Sequence, residues 1–242
     1  TEFADLDHDG WPDLLVANGN TLEEDGPFPK RLKAQELFVF WNDRGQLFHN
    51  LAPLNPALAE RHNSRGLAGS DYDGDGDTDF AVADLGEGVR LFRNDLARGH
   101  WLKVRLRSRN PAGAAHGFGE GSVATVWLGE TPLRRTSASP SYFSAASHTL
   151  HWGLGTATNV ARLTVRWHAG KTQEFTGLAA DTFYEISEGE PQPRPLVRSH
   201  AAVTPGARTI QSAAPADDKQ RQLAFRSEEH TSELQSLAYL VC

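Results

Sequence analysis

Two short stretches of the chain place aspartate at every second position and close on a fourth carboxylate at position nine. Asp5-Leu6-Asp7-His8-Asp9-Gly10-Trp11-Pro12-Asp13 is the first, and Asp71-Tyr72-Asp73-Gly74-Asp75-Gly76-Asp77-Thr78-Asp79 is the second. Both read D-x-D-x-D-G-x-x-D. Two carboxylates ~5 Å apart repel by roughly 3 kcal/mol at an effective dielectric near 20. Crowding four into one loop therefore requires a cation at its centre. The donors are hard oxygens, which suit Ca²⁺ and disfavour zinc or copper. Glycine at position six, Gly10 and Gly76, permits the sharp turn that lets alternate side chains converge.

These loops are not EF-hands. An EF-hand needs a bidentate Glu at position twelve and helices on both sides. Position twelve is Val16 in the first loop and Val82 in the second, and each lies in an apolar run, Leu14-Leu15-Val16-Ala17 or Phe80-Ala81-Val82-Ala83. Such runs, bounded by Gly and Asx residues, read as buried strands. The loop is thus a clip at a strand entrance. The similarity continues downstream. Leu37-Phe38-Val39-Phe40-Trp41-Asn42-Asp43 follows the first loop and Val89-Arg90-Leu91-Phe92-Arg93-Asn94-Asp95 the second, so the unit of loop, strand, turn, strand and Asn-Asp turn is an internal repeat. The first copy is longer, with insertions at 20–34 and 54–65; a short helical turn is expected around 56–61.

From Gly99 the pattern changes. His100-Trp101-Leu102-Lys103-Val104-Arg105-Leu106-Arg107 alternates apolar and basic residues, the period of a half-buried strand. Further strands are expected at 122–128, 149–152, 162–167, 172–175 and 182–186, separated by Gly, Pro and Asn. This predicts a second, all-β unit over 99–188, a sandwich or small barrel.

The acidic loops, the VAN-like strands and the Arg-Asn-Asp turn resemble the FG-GAP/VCBS repeats of integrin-type β-propellers. The runs HWLKVRL, LHWGLG and RLTVRWHAGK are similar to the ASPIC/UnbV domain, which follows such repeats in proteins related to cartilage acidic protein. The glycine-rich stretch 115–122 departs from that domain's simpler strand entry. The resemblance implies Ca²⁺ in each loop. Its ligands would be the side chains of Asp5, Asp7, Asp9 and Asp13 with the Trp11 carbonyl, and the side chains of Asp71, Asp73, Asp75 and Asp79 with the Asp77 carbonyl. The expected fold is all-β, with partial propeller blades over 1–98 followed by the sandwich or barrel. Propellers close with about four to eight blades. Fewer than two are present here, and the chain starts at Thr1 and holds no methionine, so it is expected to be a fragment.

Residues 189–225, rich in Pro, Ala, Ser and Gln, read as a disordered linker. Residues 226–242 resemble the translated frame of a sequencing adapter, and Cys242, the sole cysteine, lies there. Such a segment is left out of fold reasoning.

Composition bounds the function. The net charge of −7 is concentrated in the loops, and no basic stripe interleaves with aromatics, which argues against nucleic acid. No run approaches the ~20 apolar residues of a membrane span. No G-x-S-x-G, H-E-x-x-H or Walker loop is present. His100, His148, His151 and His168 are dispersed, without metal-ligand spacing, and read as turn or edge residues. Gly117-Phe118-Gly119-Glu120-Gly121 reads as a turn, since no helix follows to make it a phosphate loop. Trp101, Trp127 and Trp167 read as core; Trp11 and Trp41, at loop or turn positions, are the candidates for exposure. The expectation is a non-catalytic, Ca²⁺-binding interaction or adhesion-type protein of extracellular, periplasmic or cell-surface setting, with a protein or glycan surface as partner. The alternative is an accessory, carbohydrate-binding part of a secreted carbohydrate-active enzyme.

Overall fold

Short β-branched and aromatic runs set between Gly- and Asx-rich turns are too brief for helices and fit a pleated, half-buried surface. The chain follows that rule in a computed structural model that describes residues 1–22, 31–96, 99–110, 112, 115–138, 147–196 and 225–228. The first repeat begins with β1 (Glu2–Ala4), the first acidic loop and β2 (Asp13–Val16). A hairpin of β3 (Gly19–Leu22) and β4 (Arg31–Ala34) occupies the first insertion; β5 (Phe38–Asp43) and β6 (Leu47–Asn50) follow. The antiparallel order β1-β2-β5-β6 is a four-stranded blade.

The second insertion holds a 3₁₀ turn (Ala52–Leu54) and a one-turn helix, α1 (Pro56–Ala59). The side chain of Asn55 caps α1 by accepting from Ala57 N–H at 3.0 Å, and Leu58 is fully buried. The helical turn therefore serves as a plug under the blades.

The second blade comprises β7 (Ser64–Ser70), β8 (Asp79–Asp84) and β9 (Gly88–Asn94). Leu15, Val39, Leu67, Phe80, Val82 and Phe92 form the core between the two blades. Phe80 and Phe92 stack there, with ring centroids 4.8 Å apart.

The second unit is a sandwich. One sheet is built on β10 (His100–Arg109), which pairs with β11 (Ala115–His116). The other has β12 (Val123–Leu128) paired with β13 (Thr131–Thr136). β14 (Thr149–Gly155) joins β10 antiparallel, and β15 (Asn159–Arg166) and β16 (Thr172–Ala179) extend the β12 sheet. β17 (Thr182–Ser187) runs parallel to β10. Leu102, Val104, Leu106 and Trp152 of one sheet meet Val126, Leu163, Val165 and Phe175 of the other. The sheets do not close into a barrel. The two fully buried indoles are satisfied: Trp152 Nε1 donates to the Leu133 carbonyl at 2.9 Å, and Trp167 Nε1 donates to Gln173 Oε1 at 2.6 Å.

Several elements differ from the sequence reading. β13 was not foreseen, because Thr-Pro-Leu-Arg-Arg-Thr is an edge strand with no buried residue to create a period. Ordered pairing continues beyond 188, where the linker was expected to begin. β18 (Arg194–Pro195) pairs with β17, and Leu196 N–H donates to the Phe183 carbonyl at 2.7 Å. β19 (Phe225–Glu228) pairs with β9 as the outer strand of the second blade, at the junction of the expected linker and the adapter-like segment. Residues 197–224 and 229–242 lie outside the described residues. The stretch 115–122 turns through Gly117, Gly119 and Gly121, all at positive φ; a Cβ on Gly119 would stand 2.7 Å from Leu106 Cβ. No helix among the described residues is long and apolar enough to cross a membrane.

Candidate metal centres

Each acidic loop joins the first two strands of its blade, and the two follow one plan. Positions four and six both take positive φ, as His8 (58°) and Gly10 (95°) in the first loop and Gly74 (82°) and Gly76 (109°) in the second. Each aspartate then holds a backbone N–H nearby. Asp7 Oδ1 accepts from Asp9 N–H at 3.3 Å, as Asp73 Oδ1 does from Asp75 N–H at 3.3 Å. Asp9 Oδ1 accepts from Trp11 N–H at 2.9 Å, and Asp75 Oδ1 from Asp77 N–H at 2.9 Å.

The position-nine carboxylates tie the loop to its blade. Asp13 accepts from Leu6 N–H at 2.9 Å and Asn42 N–H at 2.8 Å; Asp79 accepts from Tyr72 N–H at 3.0 Å and Asn94 N–H at 2.8 Å. This is the role of the repeated Asn-Asp turn. Asn42 Nδ2 also donates to the Pro12 carbonyl at 2.9 Å, and Asn94 Nδ2 reaches across to Leu6 O at 2.8 Å, linking the repeats.

Of the expected ligands, one oxygen each from Asp5, Asp7 and Asp13 lie within 4.8 Å of one another, and so do oxygens from Asp71, Asp73 and Asp79. Asp9 and Asp75 do not enter those groups. The Asp77 side chain points elsewhere, its Oδ1 lying 3.8 Å from His8 Nε2. Trp11 is exposed and packs on Gly45.

Burial sets the electrostatics of the clusters. Asp5 is buried, and its Oδ1 has no hydrogen-bond partner. Burial first, then Asp9 and Asp7, pushes its pKa up to about 7. Burial pushes Asp13 and Asp79 each up to about 8, against the backbone N–H bonds that oppose the shift. Burial also raises Asp75. Carboxylates held this far above their ordinary range take up either a proton or a cation. The all-oxygen donor set and the open Asp5 Oδ1 fit a hard divalent ion such as Ca²⁺.

Both loops are covered by the second unit, which the sequence reading did not anticipate. Leu102, Val104 and Leu106 point into the sandwich core. From the other face of β10, Lys103 Nζ donates to Asp71 Oδ2 at 2.5 Å and stands 4.9 Å from the Trp101 ring centroid. From β14, Gly153 N–H donates to Asp5 Oδ2 at 3.0 Å and Gly155 N–H to the His8 carbonyl at 2.8 Å. A Cβ on Gly153 would lie 2.4 Å from Asp5 Oδ2 and from the His8 backbone. Only glycine fits there.

His8 is fully buried, with Nδ1 3.2 Å from the Gly99 carbonyl and its ring 4.9 Å from that of His151. Desolvation lowers His8 to about 4 and takes His151 well below its ordinary value, so both are neutral imidazoles at pH 7. His151, read as an edge residue, is therefore part of the seam. So is Trp101, read as core; it lies against Gly76, whose added Cβ would stand 2.1 Å from Trp101 Nε1. Trp127 is half-buried under the Arg162 guanidinium, 4.1 Å from the ring centroid. Trp41, expected to be exposed, is half-buried and donates from Nε1 to Asp7 Oδ2 at 3.1 Å. A cleft of about 470 Å³ opens beside the seam, lined in part by Asp5, Asp71, Thr78, Lys103, Arg135 and His151.

Comparison with known families agrees with this layout. Residues 5–82 match the FG-GAP-like repeat, and residues 113–193 match the family described as ASPIC and UnbV. The chain carries an FG-GAP-like repeat followed by an ASPIC/UnbV domain. The repeat match runs from the first residue of loop 1 to the strand after loop 2, and the ASPIC/UnbV match contains β14, which supplies Gly153. Both domains are typical of extracellular or cell-surface proteins. No curated protein matches the chain.

Proposed function

We propose that this chain is a non-catalytic, calcium-binding interaction protein of the extracellular or cell-surface type. The reading rests above all on Asp5, a buried carboxylate with one oxygen lacking a partner, set among acidic neighbours within ligating reach. Asp5, Asp7 and Asp13 would hold one ion and Asp71, Asp73 and Asp79 the other; Asp9, Asp75 and the carbonyls of Trp11 and Asp77 complete the sets that the family resemblance implies. Ca²⁺ would supply charge neutralisation and loop cross-linking. The chain's own residues do the rest. Asn42 and Asn94 fix the position-nine carboxylates, and Gly153 and Lys103 seat the ASPIC/UnbV domain on the loops. That seam makes the two domains one presenting surface, suited to adhesion to a protein or glycan partner.

The test is thermal unfolding of the full chain with excess chelator and with excess Ca²⁺. Chelation should lower Tm by several degrees, and Ca²⁺ but not Mg²⁺ should restore it, because Mg²⁺ keeps its waters and demands a smaller, regular cage. Superimposable melts would remove the calcium reading.

A further inference from the structure

The first carboxylates of the two loops meet different neighbours. Asp5 Oδ2 takes two neutral donors, the N–H groups of Gly10 at 2.9 Å and Gly153 at 3.0 Å, and Oδ1 stays open. Asp71 Oδ1 takes Gly74 N–H at 2.6 Å, and its Oδ2 takes the ammonium of Lys103 at 2.5 Å. Both side chains of that ion pair are buried, with 4% exposure for Lys103 and 5% for Asp71.

Lys103 cannot easily leave. Its backbone lies mid-strand in β10, paired on one side with His151 of β14 and on the other with Phe183 of β17. The flanking Leu102 and Val104 are fully buried in the sandwich core, which fixes the direction of the lysine side chain. Trp101 supplies a ring beneath the ammonium. As long as the ASPIC/UnbV domain is docked, a positive charge stands at the position-one carboxylate of loop 2. Loop 1 has a cation nearby, Arg135, but it acts on Asp5 only through space, since its guanidinium donates to the His151 and Arg134 carbonyls instead.

Building on the calcium reading, we propose that Lys103 sets loop 2 as the weaker of two unequal Ca²⁺ sites. An incoming divalent ion must share Asp71 with a fixed ammonium, and like charges held at such separation in a buried seam oppose one another strongly. Loop 1, with neutral donors around Asp5, fills first. Loop 2 then responds only at higher calcium, and its occupancy reports on, and acts upon, the seating of the ASPIC/UnbV domain.

The experiment is calorimetric Ca²⁺ titration of the full chain. Asp7→Asn leaves loop 2 to be read alone, and Asp73→Asn leaves loop 1. Loop 2 should bind at least tenfold more weakly than loop 1. Lys103→Met should tighten loop 2 tenfold or more without moving loop 1, whereas Lys103→Arg should keep loop 2 weak. If Lys103→Met lacks the cooperative melt of the parent, Lys103→Gln takes its place. Equal affinities of the two loops in the lysine-containing chain would overturn the proposal without any lysine variant. So would a loop 2 affinity that is unchanged or lower once the ammonium is gone. In both of those outcomes the calcium reading survives; absence of heat from every variant and from the parent would instead remove the calcium reading, and the proposal with it.

Discussion

Loops 1 and 2 share a backbone path, two positive-φ positions and the same aspartate-to-backbone bonds at positions three, five and nine, yet they are finished by different chemistry. The repeat supplies what is common: alternate carboxylates, the position-six glycine and the Asn-Asp turn that holds Asp13 and Asp79. The sandwich, which is not repeated, supplies what differs. It gives Asp5 a backbone N–H from Gly153 and gives Asp71 an ammonium from Lys103. Repetition therefore makes two equivalent cages, and an unrepeated neighbour makes them unequal.

The largest effect should come from the seam over loop 1. In Gly153→Val the new side chain enters space taken by Asp5 Oδ2 and the His8 backbone, and overpacking of that kind costs about 3 kcal/mol. Urea unfolding should show this loss, and titration should show loop 1 losing Ca²⁺ affinity while loop 2 keeps most of its own. Unchanged stability would mean that the seam is not tightly closed.

Next in size, positions nine and three should separate in chelator. Asp13→Ala strands the N–H groups of Leu6 and Asn42 and should destabilise the metal-free chain by about 2 kcal/mol. Asp73→Ala, whose bond from Asp75 N–H is long at 3.3 Å and whose removal also relieves repulsion among the loop's carboxylates, should be within about 0.5 kcal/mol of the parent in chelator. It should differ from the parent only once Ca²⁺ is added. Equal losses in chelator would erase the distinction between an anchor and a ligand.

The pH dependence concerns both loops together, and its direction follows from the raised carboxylates. Asp5, Asp13 and Asp79 titrate in the folded, metal-free chain at about 7, 8 and 8, far above the value of about 4 expected when unfolded. The folded state thus binds protons more tightly. Their contribution is fully present below pH ~4 and is lost as pH rises through 7 and 8. Melting in chelator should fall from pH 5 to 8.5, most steeply above pH ~6.5 where the opposing contribution of the depressed His8 and His151 ends, and excess Ca²⁺ should flatten the slope. Because Asp5 is buried and Asp75 exposed, Asp5→Asn should remove more of that slope than Asp75→Asn. A chelated profile with no slope would contradict the raised values.

The acidic clusters were legible because their spacing is local: alternate aspartates converge only if a glycine turns the chain, and both signals lie within nine residues. The blades were legible from the recurrence of loop, strand and Asn-Asp turn, and most of the sandwich from period-two alternation. The seam was not. Lys103 and His151 occupy the polar phase of strands whose apolar phase fills the sandwich core, and such a face reads as solvent-facing until its neighbour is known. Gly153 looked like an ordinary strand glycine. Its reason lies in His8 and Asp5, far away in sequence, where no periodicity could point to it.

Position four of the loops carries a last consequence. Loop 2 has Gly74 there, the residue that a left-handed turn prefers; loop 1 has His8, which adopts the same turn and sends its ring between Gly99 and His151. The imidazole is a spacer as much as a contact, since it fills the gap between the first repeat and the domain that follows. The two nine-residue cassettes are therefore not exchangeable parts. A copy of loop 2 grafted in place of loop 1 would bring every carboxylate but leave a hollow the size of a histidine ring at the joint. Duplication of a binding motif can thus be followed by specialisation at a single non-ligating position, which gives each copy one permanent address in the molecule.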